Sequence, residues 1–137
     1  MAGAIAIPYQ AFYSATKAAV LSLSDALRNE VRPFGVKVFG VLPGDVKTCF
    51  TESRRKNADE GVYAAYAENS VKVMEKDEQQ GMSAAYAAKK IFVCAVKRNM
   101  PHVKVIGVKY KFLYFAAGIL PRRLKDWLLF KIYGGES

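Results

Sequence analysis

From about Gln10 to Arg32 the chain sets its apolar residues along one helical face. Val20, Leu23, Leu27 and Val31 recur at spacings of three and four, with Ala18, Ala19 and Ala26 beside them. Pro33-Phe34-Gly35 closes this helix, because glycine past a last turn accepts the left-handed conformation. The run Val36 to Leu42 is apolar at nearly every position and hardly alternates, which predicts a strand buried on both faces of a parallel sheet. Pro43-Gly44 breaks that run. Residues 1–9 are small and apolar and end at Pro8-Tyr9, predicting a loop that leads into the helix.

Further along, residues 48–61 are polar and hold Arg54-Arg55-Lys56, a surface loop or a short helix. Helical periodicity covers about Gly61–Asp77 and Ser83–Arg98, with Ser83 placed to cap the second. After Met100-Pro101, Val103–Ile106 predicts a short strand; residues 108–117 and 121–133 predict two more helices parted by Pro121. Helix followed by buried strand is the signature of an α/β wound sheet. No internal repeat or low-complexity stretch interrupts it.

Composition narrows the class. The 137 residues are 52% hydrophobic and 24% charged, which fits one short globular domain. No apolar run reaches the ~18–20 residues of a spanning helix, and Met1–Ile7 lacks the basic flank of a secretory signal. A cytoplasmic protein, with possible membrane association, is the expectation. Cys49 and Cys94 cannot build a disulfide framework, and one histidine with two cysteines has no metal-site spacing. Charge is uneven: residues 1–88 carry ten basic and ten acidic side chains, residues 89–137 eleven and two, so the net +9 resides in the second part.

Tyr13 and Lys17 stand four apart near the start of the long helix, on one face. A phenol ionises near pH ~10 and is a poor acid or base at neutrality. An ammonium one turn away and a helix N-terminus both favour its ionised form, so the pair suits acid–base work. Spacing alone is weak, since Tyr86 and Lys90 repeat it in an alanine-rich helix. Context separates the two. Tyr13-Ser-Ala-Thr-Lys17 opens a helix that feeds the strand ending in Pro43-Gly44-Asp45-Val46-Lys47-Thr48.

This order of Tyr-x-x-x-Lys, long helix, strand and Pro-Gly-x-x-x-Thr resembles the second half of the short-chain dehydrogenase/reductase family. Ala11–Thr48 carries the specific match; residues 49–106 fit the family's substrate loop, helix and last strand, and the resemblance fades after about residue 107. It implies a partial Rossmann-like, doubly wound parallel sheet over residues 1–106, followed by a basic amphipathic helical tail over 107–137. It implies NAD or NADP as cofactor and hydride transfer between nicotinamide and a carbon bearing oxygen. Tyr13 would exchange the proton with the substrate oxygen. Lys17 would assist ionisation of the phenol and hydrogen-bond the nicotinamide ribose. Pro43 and Gly44 would approach the nicotinamide ring, Val46 the carboxamide through its main chain, and Thr48 the carboxamide or pyrophosphate. A homo-oligomer is a further possibility that the resemblance raises.

The family's glycine-rich phosphate turn does not occur in this sequence, and thirteen residues before Tyr13, where the family places a catalytic serine, falls one position before Met1. The expectation is the C-terminal half of a longer reductase, inactive by itself. The tail, Lys109 to Phe130, is aromatic, aliphatic and basic, suited to packing, to an anionic membrane surface or to covering a lipophilic substrate. Two other classes compete: a non-catalytic interaction protein, and a peripheral membrane-binding remnant. Nucleic-acid binding is not expected, because no recognition motif accompanies the charge.

Overall fold

The computed structural model describes residues 2–48 and 61–133. The predicted Arg54-Arg55-Lys56 loop and Cys49 lie outside the described residues. Helix α1 (Ala11–Glu30) is followed by a 3-10 turn at Arg32–Phe34, strand β1 (Gly40–Pro43) and strand β2 (Val46–Lys47). Then come a 3-10 turn at Gly61–Tyr63, α2 (Ala64–Gln79), β3 (Met82–Ser83), α3 (Ala84–Ala95), β4 (Val103–Ile106), α4 (Val108–Ile119) and α5 (Arg122–Tyr133). All strand pairing is parallel: β1 with β4, Gly40 opposite Val103 through Pro43 opposite Ile106, and β2 with β3, Val46 opposite Met82. The architecture is α/β, a partial Rossmann-like sheet with extra C-terminal helices.

Two predicted boundaries carry their expected chemistry. Gly35 takes φ 71° where the α1 region ends, and the Ser83 hydroxyl accepts from the Tyr86 N–H at 3.2 Å, capping α3. The strand expected over residues 36–42 is corrected. Its ladder starts only at Gly40, whose N–H donates to His102 O at 2.9 Å, because β4 offers four residues to pair with. Ahead of it, Arg28 donates to Val38 O at 2.6 Å and Lys37 to Arg98 O at 2.5 Å, so side chains replace ladder bonds there. Two-sided burial is corrected as well: Leu42 alone in β1 is buried, since β1 pairs with β4 only among the described residues.

The core is small. Among the described residues its buried apolar members are Leu42, Val105 and Ile106 on the strands, Ala87 and Cys94 on α3, and Ala2. In α1 only Ser14 is buried, whereas Phe12, Val20, Leu23 and Leu27 are exposed. A helix with that stripe normally gains its stability by burying it, so α1 presents a face built for a further layer. Among the described residues no helix is long and apolar enough to cross a membrane.

Candidate active site

The anchoring of α1 at its far end fixes where its start points. Arg28, in the last turn, donates to Val38 O ahead of β1 and to Met100 O ahead of β4. The C-terminus of α1 therefore lies beside the amino ends of both strands. Its N-terminus, with Tyr13, is directed toward their carboxyl ends, where open parallel sheets bind ligands.

The segment leading into Tyr13 is held from two sides. Ser14 is buried, and its hydroxyl accepts from the Ile7 N–H at 3.1 Å. On the other side α2 supplies Ser70, whose hydroxyl meets Pro8 O at 3.4 Å, and Tyr66, whose ring stacks on Tyr9 at 6.0 Å with planes 5° apart. Gln10 also contacts the Met74 sulfur of α2. Tyr9 has φ 61°, a conformation that costs a bulky residue about 1–3 kcal/mol and persists only where neighbours enforce it. The α2 contacts are those neighbours.

Tyr13 is 38% exposed, and the Lys17 ammonium sits 5.3 Å from its ring centroid. Lys90 stands over Tyr86 at 5.2 Å. The ring–ammonium contact is thus a general product of Tyr-x-x-x-Lys on a helix and marks no site unaided. Tyr86 is about half exposed beneath Lys90.

Residues 43–48 leave the carboxyl end of β1 under close restraint. The Gly44 N–H donates to Ile106 O at 3.1 Å, and Asp45 O accepts from the Met82 N–H at 2.9 Å. Val46 lies in β2 beside Met82. Thr48 donates its hydroxyl to Glu78 Oε1 at 2.6 Å, and Glu78 is itself buried at the end of α2. α2 therefore braces both the segment before Tyr13 and the end of the 43–48 segment. Tyr110 of α4 completes the arrangement: its ring covers Gly44, where a Cβ would lie 2.0 Å from ring carbons, and its hydroxyl donates to Asp45 Oδ2 at 2.5 Å.

Asp45, Glu78 and Tyr110 were not expected. Asp45 is a variable position inside Pro-Gly-x-x-x-Thr, and Tyr110 is one aromatic among many in the tail. The nearest signal in the sequence is Gly107, three residues before Tyr110, with φ 99° in the structure.

Burial, then the hydrogen bond to Asp45, pushes the Tyr110 phenol up to about 12. Tyr133 is raised too, by burial and then by the charges of Asp77 and Asp45. Lys109 faces the same cluster, 3.7 Å from Asp77 and 5.6 Å from the Tyr110 ring centroid. Between pH 10 and about 12 the unfolded chain releases tyrosine protons that the folded chain retains. Stability present below pH 10 is accordingly lost as pH rises through that window. Urea titrations at intervals across it show a falling midpoint, and Tyr110→Phe removes part of the slope while Tyr133 keeps the rest.

A phenol, an ammonium one turn on, and a restrained main-chain segment past the carboxyl end of β1 are groups that could hold the nicotinamide–ribose end of a dinucleotide. The parallel strands and flanking helices are those of a Rossmann-type half-domain. The family profile described as short chain dehydrogenase matches residues 1–59, a span that contains Tyr13, Lys17 and Pro43–Thr48. A 3-ketodihydrosphingosine reductase of Bacteroides thetaiotaomicron is 36% identical over 129 residues, 92% of this chain and 45% of that protein. A short-chain dehydrogenase of Penicillium ochrochloron is 32% identical, over 89% of this chain and 45% of its own. The crystal structure of a short-chain dehydrogenase from Streptomyces avermitilis superposes with TM-score 0.65 at 31% identity, covering 99% of this chain and 49% of that one. The chain belongs to the short-chain dehydrogenase/reductase family and spans about half the length of the curated relatives it matches.

Proposed function

We propose that this chain acts as the second half of an NAD- or NADP-dependent reductase that interconverts a carbonyl and an alcohol on a lipophilic substrate. The observation that carries the reading is the direction of α1: Arg28 is tied at the amino ends of β1 and β4, so Tyr13 is turned to the carboxyl ends that Pro43–Thr48 leaves. When bound, a nicotinamide supplies or accepts the hydride. Tyr13 gives its phenolic proton to the substrate oxygen during reduction and takes one back during oxidation. Lys17, one turn along, offsets the charge on the phenolate and offers donors to the ribose hydroxyls. Pro43, Gly44, Val46 and Thr48 orient the nicotinamide, chiefly through main chain.

Two features support a lipophilic substrate. A cleft of about 380 Å³ lies between the segment before Tyr13 and the α4–α5 turn, with Ala4, Ile5, Ala117 and Leu120 on one part of its wall and the charged Arg122, Lys125 and Asp126 on another, so it would take an apolar chain with a polar end. The name of the Bacteroides relative gives 3-ketodihydrosphingosine as the substrate of that protein. A peripheral membrane contact is consistent with them, because Val108, Phe112, Phe115 and Ile119 form an exposed stripe on α4 near Lys109, Lys111 and Arg122.

The test follows nicotinamide absorbance with long-chain 3-keto lipids in anionic phospholipid vesicles. A complete reductase carrying residues 1–137 as its second half turns them over, whereas the 137-residue chain does not. Rapid turnover by the short chain would overturn the half-protein reading, and no turnover by the complete one would overturn the reductase reading. Truncation before Lys109 abolishes co-sedimentation with the vesicles if the tail touches them; unchanged sedimentation removes that contact.

A further inference from the structure

A main-chain segment that orients a nicotinamide must be held to well under an ångström, since misplacement of about 1 Å can cost ~10²-fold in rate. The residues after Pro43 lie past the paired stretch Gly40–Pro43, so the β1–β4 ladder does not by itself fix them. The turn between β1 and β2 is clamped instead. Gly81 comes so close that a Cβ there would lie 2.6 Å from Asp45 O, and the Met82 N–H donates to that oxygen. Tyr110 meets the turn on another face, with its ring on Gly44 and its hydroxyl on Asp45.

We propose that Tyr110 is a positioning residue for the Pro43–Thr48 segment, acting through Gly44 and Asp45 so that α4 sets the main chain facing the nicotinamide. The inference rests on the reductase reading for what the segment faces, and on geometry alone for the clamp. The phenol-to-carboxylate bond is charge-assisted, a class about twice as strong as a neutral bond. Gly107 lets the clamp form: its φ of 99° turns the chain from β4 into α4, and a Cβ there would lie 2.8 Å from the Tyr110 ring. The clamp joins the tail to the segment that carries the Pro-Gly-x-x-x-Thr pattern, and the matched relatives extend over both.

Amide hydrogen exchange on the 137-residue chain, resolved by residue, tests the clamp. Tyr110→Phe keeps the ring and removes the hydroxyl. The Gly44 and Met82 amides then exchange roughly tenfold faster or more, the effect of losing one hydrogen bond to a charged group, while the Gly40 amide at the far end of the same ladder is unchanged. Asp45→Asn, whose amide oxygen still accepts from the phenol, retains most of the protection. Unchanged exchange at Gly44 and Met82, or an equal rise at Gly40, would overturn the clamp, the latter because it reports general loosening. In a complete reductase carrying these residues, Tyr110→Phe raises the KM for dinucleotide several-fold, and Asp45→Asn restores much of it. Faster exchange with an unmoved KM would overturn the nicotinamide assignment and leave the clamp standing, so the two failures are distinguishable.

Discussion

Replacing Tyr13 by phenylalanine in a complete reductase carrying these residues lowers kcat by about 10²–10⁴-fold, the range assigned to a positioned proton donor. In free energy this is about 3–5 kcal/mol of transition-state stabilisation. An ordinary hydrogen bond contributes a net ~1 kcal/mol, so a hydroxyl that merely helped hold the helix start could not produce such a loss. The substitution keeps the aromatic ring and hence the Lys17 contact at 5.3 Å from its centroid. It also leaves the lead-in segment on Ser14, Ser70 and Tyr66. The dinucleotide KM therefore changes little while kcat collapses. The same change at Tyr86 has no comparable effect, although Lys90 lies over that ring at a similar distance. Wild-type turnover in Tyr13→Phe, measured by nicotinamide absorbance, would remove the phenol from the chemistry. Equal losses at both tyrosines would point to folding instead.

What the sequence discloses of this fold is what is local. The stripe Val20–Leu23–Leu27–Val31 and the Pro33–Gly35 stop define α1 because helix periodicity and capping act over a few residues. β4 is legible as Val103–Ile106 for the same reason. The start of β1 is not, because apolar residues continue back to Val36, while the ladder's length is dictated by β4, some sixty residues away. β2 and β3, at two residues each, are too short to leave a periodic trace. Tyr13 and Lys17 stand out through a motif with order, whereas the Asp45–Tyr110 bond joins residues 65 apart. Nothing at either position signals the other. The glycines on both sides of that bond, Gly44 and Gly107, read as ordinary turn residues until the tertiary fold lays one phenol ring against both.

That ring makes Gly44→Ala a costly small substitution in the site. Gly44 is not among the glycines with positive φ, so an alanine meets no backbone penalty there, and space alone sets the cost. The added methyl would lie 2.0 Å from two Tyr110 ring carbons and 2.6 Å from a third. The near atoms belong to the body of the ring, whose far end is already bound to Asp45. Relief therefore requires α4 to shift or the phenol to leave its carboxylate, and overpacking of this kind costs about 1–3 kcal/mol. Thermal unfolding of the variant shifts downward by roughly 2–8 °C per kcal/mol lost for domains of this size range. The decisive measurement is the cycle with Tyr110→Ala. In that background the methyl finds the space the ring vacated, so Gly44→Ala costs little, and a coupling of about 0.5–3 kcal/mol separates the two backgrounds. Equal losses with and without the ring would mean that Tyr110 does not rest on Gly44, and the link between α4 and the 43–48 segment would lose its physical basis.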